Sequence, residues 1–311
     1  MRTKTLAGDT VRRWMIQEGK RARRNRAAYV FITPFFLLFI VFTVLPVLMS
    51  IFYSFTDYNM LEAPDWVGVS NYVRLAVKDD IFLKAVKNTL IFAVITGPAG
   101  YLLSLLVAWF INELPQRLRA VMVVLFYVPS ISGNAYLVWK IMFSSDATGY
   151  INGLLIRLSL INDPIHWLQD PHYMLGVVIA VSLWMSLGTA FLSFVAGFQG
   201  VDRSLYEAGA IDGVRNRWQE LWFITLPSMK PQLMFGAVMS ITSALAVSDV
   251  SINLAGNPSV QYGAHTVVTH LMDYGNIRFE MGYASAIAAV LFLFMVGVNK
   301  LVNRFIRTIG H

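Results

Sequence analysis

Hydroxyls on uncharged stretches are the most chemically suggestive residues of this chain. Tyr127, Ser130, Ser186, Thr189, Ser240 and Ser243 each supply a donor and an acceptor, and no base stands beside any of them to make a nucleophile. Ser240, Ser243 and Val247 share one helical face at i, i+3, i+7. Their chemistry is reversible recognition, and walls of this kind favour a neutral or weakly charged solute. The competing reading is close helix packing through small residues. Trp184, beside Met185, falls midway along an apolar run. Its indole either stacks on the CH face of a sugar ring or fills the helix bundle. Asp249 ends another apolar run. A carboxylate there marks a functional position, or it caps a helix or pairs with Arg278.

Covalent and metal chemistry find little to work with. His166, His172, His265, His270 and His311 all fall in predicted loops or tails, and His265 and His270 lack the HExxH frame of a helical zinc site. With no cysteine, disulfides, Cys-ligated zinc and thiol catalysis are excluded. No GxxxxGK[ST] loop is present, so ATP is not bound by that route. The expectation is a chain that is not an enzyme, with no catalytic or metal residues.

A third group is polar and compact. Ser204 is read as a helix cap with Glu207 at the third position after it, Asp212-Gly213 as a turn, and Asn216 to Thr225 as a second helix stopped by Pro227. The segment is a short helix–turn–helix between two apolar runs. An amphipathic helix lying on lipid would have the same outline, but Glu207, Asp212 and Glu220 disfavour anionic headgroups, so a protein partner is preferred.

The elements that position these residues are membrane spans. The 311 residues are 56% hydrophobic and 14% charged, with mean hydropathy +0.57, far from the roughly 25% charge of a soluble domain. Uncharged runs long enough to cross hydrocarbon lie at 27–56, 88–112, 120–139, 171–201, 231–248 and 281–299. The run 250–272 is rejected because Asn253, Asn257, Pro258, Gln261, His265 and His270 would face lipid. Pro129, with Ser132, Gly133 and Asn134 after it, predicts a bend in the third span. The fold class expected is therefore an all-α polytopic membrane protein with six transmembrane helices.

Charge sets the orientation. Nine of the 25 Lys and Arg residues precede position 27. Counting all connections, eighteen fall on the side of the N-terminus and six on the other, which predicts both termini in the cytoplasm. The basic region and the apolar run are too long for a cleavable signal peptide. Nucleic-acid binding is not expected, because the basic run is a membrane flank with a single aromatic residue, Trp14.

The polar segment resembles the cytoplasmic loop of permease subunits of binding-protein-dependent ABC sugar importers, of the maltose-transporter-like oligosaccharide class. That loop has Glu-Ala-Ala, Asp-Gly-Ala and Leu-Pro. Here the residues are Glu207-Ala208-Gly209, Asp212-Gly213-Val214 and Leu226-Pro227, with Gly209 and Val214 as departures. Trp66-Val67-Gly68-Val69-Ser70-Asn71-Tyr72, Asn88-Thr89-Leu90, the Pro129 bend, Trp184 and Gly282-Tyr283-Ala284-Ser285-Ala286 are also similar, so the resemblance runs over residues 28–307.

The resemblance implies a type-1 ABC importer permease fold in a bacterial cytoplasmic membrane. It implies a heterodimer with a second homologous permease, an ABC ATPase dimer that uses ATP and Mg, an extracytoplasmic solute-binding protein, and a sugar or oligosaccharide substrate. Tyr206, Glu207, Ala208, Gly209, Asp212, Gly213, Leu226 and Pro227 would couple to the ATPase. Tyr127, Ser130, Trp184, Met185, Ser186, Thr189, Ser240, Ser243 and Asp249 are candidates for the substrate pathway. No cofactor is expected on this chain itself. The organisation expected is a basic tail at 1–27, a first helix at 28–53, an external loop at 54–87, a transmembrane domain at 88–303 holding a coupling loop at 202–230, and a tail at 304–311. The alternative is a secondary transporter or channel with no ATPase partner, using Asp249 and Lys140.

Overall fold

A computed structural model describes residues 25–309. The basic tail expected at 1–27 therefore lies almost entirely outside the described residues, as does the end of the tail expected from 304. The chain divides into two compact units, Met1–Tyr53 and Ser54–His311.

In the first unit, α1 (Ala27–Tyr53) is a 27-residue helix of mean hydropathy 2.8 with no residue buried in its apolar window. At about 1.5 Å per residue it exceeds the ~30 Å of a bilayer core. Pro34 lies inside it, and a π-helical turn at Ile40–Val44 follows.

The second unit holds the remaining spans. They are α2 (Asp80–Asn112), the bent pair α3 (Gln116–Ile131) and α4 (Ala135–Met142), α6 (Pro171–Trp184) with α7 (Thr189–Gln199), α10 (Lys230–Leu245) continued by α11 (Asp249–Ala255), and α13 (Met281–Ile309). Among the described residues, five helices are long and apolar enough to cross a membrane, and six when the bent pair counts as one span. The core forms where α2 meets α7: Ala108 and Trp109 pack with Phe191, Phe194 and Phe198, and Met229 closes the cluster.

Three spans are interrupted; the fifth breaks at Ala246–Ser248, between α10 and α11. α3 and α4 meet at 78° across Ser132–Asn134, three residues after Pro129, which stays inside α3. The fourth span, expected to be continuous, is interrupted at Met185–Gly188. A break inside a membrane frees backbone groups that the surrounding protein must satisfy. Here Ser104 of α2 donates its hydroxyl to the Ser186 carbonyl at 3.3 Å, and the Gly188 N–H reaches the same oxygen at 2.8 Å.

Between α4 and α6 lies α5 (Tyr150–Arg157). The polar segment comprises α8 (Arg203–Ile211) and α9 (Arg217–Glu220), then a π-helical turn at Leu221–Thr225. Two details of its sequence reading are corrected. The cap of α8 is Asp202, whose carboxylate accepts the Ser204 N–H at 3.0 Å, so Ser204 lies inside the helix. Pro227 does not stop the second arm, because proline is tolerated in a first turn; helix runs through Leu226–Ser228 and breaks at Met229.

At the other end a two-stranded hairpin pairs β1 (Thr56–Asp57) with β2 (Asp65–Trp66). After α11, residues 256–280 fold as short helical turns, of which α12 (Val267–Met272) is the longest. No stretch within 250–272 makes a separate span.

Candidate functional site

The breaks at Met185–Gly188 and Ala246–Ser248 and the end of α3 face a common cavity of about 340 Å³. α2 contributes Phe92, Thr96 and Gly100; α3 contributes Tyr127 and Ser130; the break in the fourth span contributes Met185, Ser186 and Gly188. Thr189, Met239, Ser240, Ser243 and Val247 also line it. Seven of the nine sequence candidates thus meet here: Tyr127, Ser130, Met185, Ser186, Thr189, Ser240 and Ser243. No lining residue is charged.

Several of these hydroxyls are already oriented. Ser130 donates to the Tyr127 carbonyl at 2.7 Å, Ser186 to Leu183 at 2.7 Å, and Thr96 to Phe92 at 2.8 Å. Each donor is spent on its own helix, which leaves the oxygen lone pairs as acceptors. The Ser182 oxygen is buried at the same wall without a partner. Thr96 and Ser182 were missed in the sequence, since a lone hydroxyl on a long apolar helix has no distinguishing spacing.

Trp184 and Asp249 are placed elsewhere. Trp184 lines a separate apolar groove with Leu103, Val124, Val128, Pro129 and Leu187. Its ring meets Trp139 edge-on at 5.4 Å. Asp249 is exposed at the start of α11, where Ser248 Oγ donates to Oδ1 at 3.4 Å. It does not pair with Arg278, whose Nη2 lies 2.8 Å from Asp273 Oδ2 in an ion pair not aligned as a hydrogen bond.

The polar segment is a rigid hairpin of helices. Tyr206 Oη and Thr225 Oγ1 lie 2.9 Å apart and tie its two arms together. Gly213 turns the chain with φ +91°, and the Val214 N–H closes back onto the Gly209 carbonyl at 2.9 Å. Gly209 is buried; a Cβ there would stand 2.5 Å from Ile224 Cδ1. Glycine in place of the usual alanine is thus matched to a branched side chain across the hairpin. Glu207, Ala208, Ala210, Ile211 and Asp212 form its exposed face. On the flank, Arg217 lies between Glu220 at 2.7 Å and Glu113 at 3.4 Å, and Trp218 stands 4.8 Å from Trp109 at the end of α2.

At the opposite end is a buried polar chain. Asp79 caps α2 by accepting the Phe82 N–H at 2.8 Å. Its other oxygen takes Tyr283 Oη at 2.6 Å and His270 Nε2 at 3.0 Å. His270 Nδ1 is in turn 3.2 Å from His265 Nε2, and His265 Nδ1 is buried without a partner. The pattern fits two neutral imidazoles, each protonated at Nε2 and donating toward Asp79. Burial pushes the Asp79 carboxyl up, but the bonds from Tyr283, Phe82 and His270 outweigh it and hold it below its ordinary value. Burial lowers His270 against the pull of Asp79. His265 is brought down to about 4 by burial, then by His270 and Arg278. The sequence placed these two histidines in loops; only the tertiary structure brings Asp79 to them.

The short motifs outside the polar segment serve this end. Asn88 Nδ2 donates to the carbonyls of Tyr262, Gly263 and His265, and Thr89 Oγ1 accepts the Val267 N–H at 2.9 Å. Asn71 Nδ2 donates to Ser54 and Thr56 across the hairpin, where Trp66 stacks on Phe55.

Residues 100–311 match the family described as the binding-protein-dependent transport system inner membrane component. The chain is 34% identical over 282 residues, 89% of each protein, to the probable ABC transporter permease protein YesP of Bacillus subtilis. It is 31% identical over 280 residues to the lactose transport system permease protein LacF of Rhizobium radiobacter, covering 87% of this chain and 90% of that one. One chain of a bacterial ABC transporter involved in the import of the acidic polysaccharide alginate superposes with a TM-score of 0.77 over 94% of this chain and 99% of its own, at 24% identity. That last likeness bears on the fold. Up to six spans among the described residues, a helical hairpin between the fourth and fifth, and a family match over two thirds of its length identify the chain as a multi-pass member of the binding-protein-dependent transport system inner membrane components.

Proposed function

We propose that this chain is one of two permease subunits of an ATP-driven importer that moves a neutral sugar or oligosaccharide across the cytoplasmic membrane. The carrying observation is the uncharged cavity at the interrupted fourth and fifth spans, where Ser130 and Ser186 spend their donors on their own helices and keep lone pairs as acceptors. Such a wall recognises hydroxyl donors and offers no counter-ion, which separates a neutral sugar from an anionic one. Relatives described as lactose and arabinooligosaccharide permeases carry out transport of this class.

In this reading Tyr127, Ser130, Met185, Ser186, Thr189, Ser240 and Ser243 contact solute, Trp184 packs the bundle, and Asp249 lies at the pathway's outer mouth. The exposed face of α8, with Tyr206, Glu207, Ala208, Gly209, Asp212, Gly213, Leu226 and Pro227 shaping the hairpin, docks on an ATPase dimer. That partner binds ATP and Mg and performs the hydrolysis. A second permease completes the pathway and an external binding protein delivers the sugar. The segment 54–87 is external and 202–230 is the coupling loop.

The test is uptake by the assembled transporter, comparing a labelled neutral oligosaccharide with its uronic-acid counterpart. Neutral uptake lost in Ser240→Val and Ser243→Val, with the ATPase still copurifying, supports the reading. Preferential uptake of the acidic sugar, or uptake driven by an ion gradient without ATP, defeats it. A reporter fused after Tyr262 should read external and one at Ser204–Asn216 cytoplasmic.

A further inference from the structure

α5 (Tyr150–Arg157) lies in the connection between the third and fourth spans. Its polarity is reversed from that of a helix in water. The one uncharged polar side chain among its larger residues, Asn152, points inward and is fully buried. It donates to the Ser144 and Ile165 carbonyls at 3.1 and 3.0 Å and accepts the Ile165 N–H and Trp167 Nε1 at 3.2 and 2.8 Å. The outward row is apolar: Tyr150, Leu154 and Leu158, at i, i+4, i+8, are 70%, 57% and 59% exposed. A water-facing lobe puts polar groups outside, and a rigidly held stripe of this kind needs an apolar neighbour.

We infer that this face of α5 lies in the outer leaflet of the membrane, with the headgroup region as its partner. Three observations select lipid. α5 packs against α4, the outer half of a membrane span, and α4 presents its own exposed apolar row of Leu137, Val138 and Ile141. The stripe thus adjoins a helix of a membrane span whose own exposed apolar row suits hydrocarbon. Tyr150 stands at its start and Arg157 beside its end, the aromatic and basic types that settle at the level of anionic headgroups. Leu160, 66% exposed, follows the stripe, while Asp146, Asn162 and Asp163 are exposed polar residues of the same connection. The Asn152 hub holds α5 in register, so the third and fourth spans are anchored at one depth through it.

The absence of cysteine permits a direct test on the full-length chain. Leu154→Cys, Leu158→Cys and, as control, Asp163→Cys are labelled with an environment-sensitive fluorophore and placed in nanodiscs. The lipids are brominated high on the acyl chain or unbrominated. The expected result is blue-shifted emission and a loss of emission in brominated lipid at 154 and 158, with water-like, unquenched emission at 163. Water-like emission at both 154 and 158, unaffected by bromine, overturns the inference. So does shielding of those labels only when an external binding protein is added, which would make the face a protein dock. Two labelled positions keep the test decisive if one variant fails to fold, and neither readout depends on transport.

Discussion

The Tyr283 hydroxyl donates to Asp79 Oδ2 at 2.6 Å, joining the first turn of α13 to the cap of α2 across 204 residues of chain. The same oxygen accepts from His270, and its partner oxygen from the Phe82 backbone. Around this carboxylate, Arg74 pairs with Glu280 at 2.5 Å while its guanidinium lies 4.1 Å from the centre of the Tyr283 ring. Three elements far apart in sequence are thus fastened at the end of the bundle away from the α8–α9 hairpin.

Removing one donor from that carboxylate tests the fastening. Tyr283→Phe keeps the ring contacts and deletes a bond to a charged acceptor, worth about 1.5–3 kcal/mol. The expected outcome is a lowered melting temperature of the purified protein in detergent or nanodiscs. An unchanged melting temperature would mean that the Asp79 contact adds nothing to stability.

The histidines predict an acid-sensitive fold. An unfolded chain takes up protons on His265 and His270 near the ordinary value of about 6.5, whereas the folded chain holds both lower, His265 at about 4. Between those values the unfolded state binds more protons, so stability is full above pH ~6.5 and falls as pH drops toward 4. Asp79, held below its ordinary carboxyl value, adds to the loss at still lower pH. Melting temperature measured from pH 8 to 4 should decline over this window, and His265→Gln should flatten the slope.

The hairpin between the fourth and fifth spans should be needed for coupling. Glu207→Lys reverses charge on the exposed face, and Gly213→Pro forces φ near −65° where the chain holds +91°. Either change should separate ATP hydrolysis from uptake or release the ATPase. Normal copurification together with normal uptake in both variants would sink the assignment.

Gly209 and Ile224 should show compensating substitutions. Gly209→Ala introduces a Cβ 2.5 Å from Ile224 Cδ1, the flexible end of that side chain. A cost of about 1–3 kcal/mol is expected from overpacking. Gly209→Ala combined with Ile224→Val, which removes the offending methyl, should recover most of it. A double variant no better than the single would mean that the two residues are not in contact.

Trp184 and Ser243 should separate packing from recognition. Trp184 meets Trp139 and lines an apolar groove but is 42% exposed, so Trp184→Ala should lower thermal stability by about 1–2 kcal/mol, less than loss of a fully buried ring, with transport falling in parallel. Ser243→Val should leave stability within about 1 kcal/mol while uptake weakens. A stable Trp184→Ala complex with lost uptake would move the indole into the solute path.

Length and charge alone dictated much of this architecture. Runs of uncharged residues fix where helices cross, because hydrocarbon tolerates no unpaired backbone or charge, and Glu207, Asp212-Gly213 and Leu226-Pro227 mark a local turn chemistry readable over some twenty residues. The hydroxyl candidates were legible for the same reason: polar groups stand out on an apolar helix. What the sequence could not supply was pairing across distance. The break at Met185–Gly188 has no proline to announce it and persists because Ser104 satisfies the Ser186 carbonyl from a neighbouring helix. Trp184 looked like a mid-span plate, yet that break ends its helix and turns it to the groove away from Ser186 and Thr189. In the sequence Asp79 carries no signal, His265 and His270 read as loop histidines without a metal frame, and Tyr283 only as part of a family-like motif. Only the packing of α2, α12 and α13 joins them, since hydrogen bonds between elements depend on three-dimensional register and not on spacing along the chain.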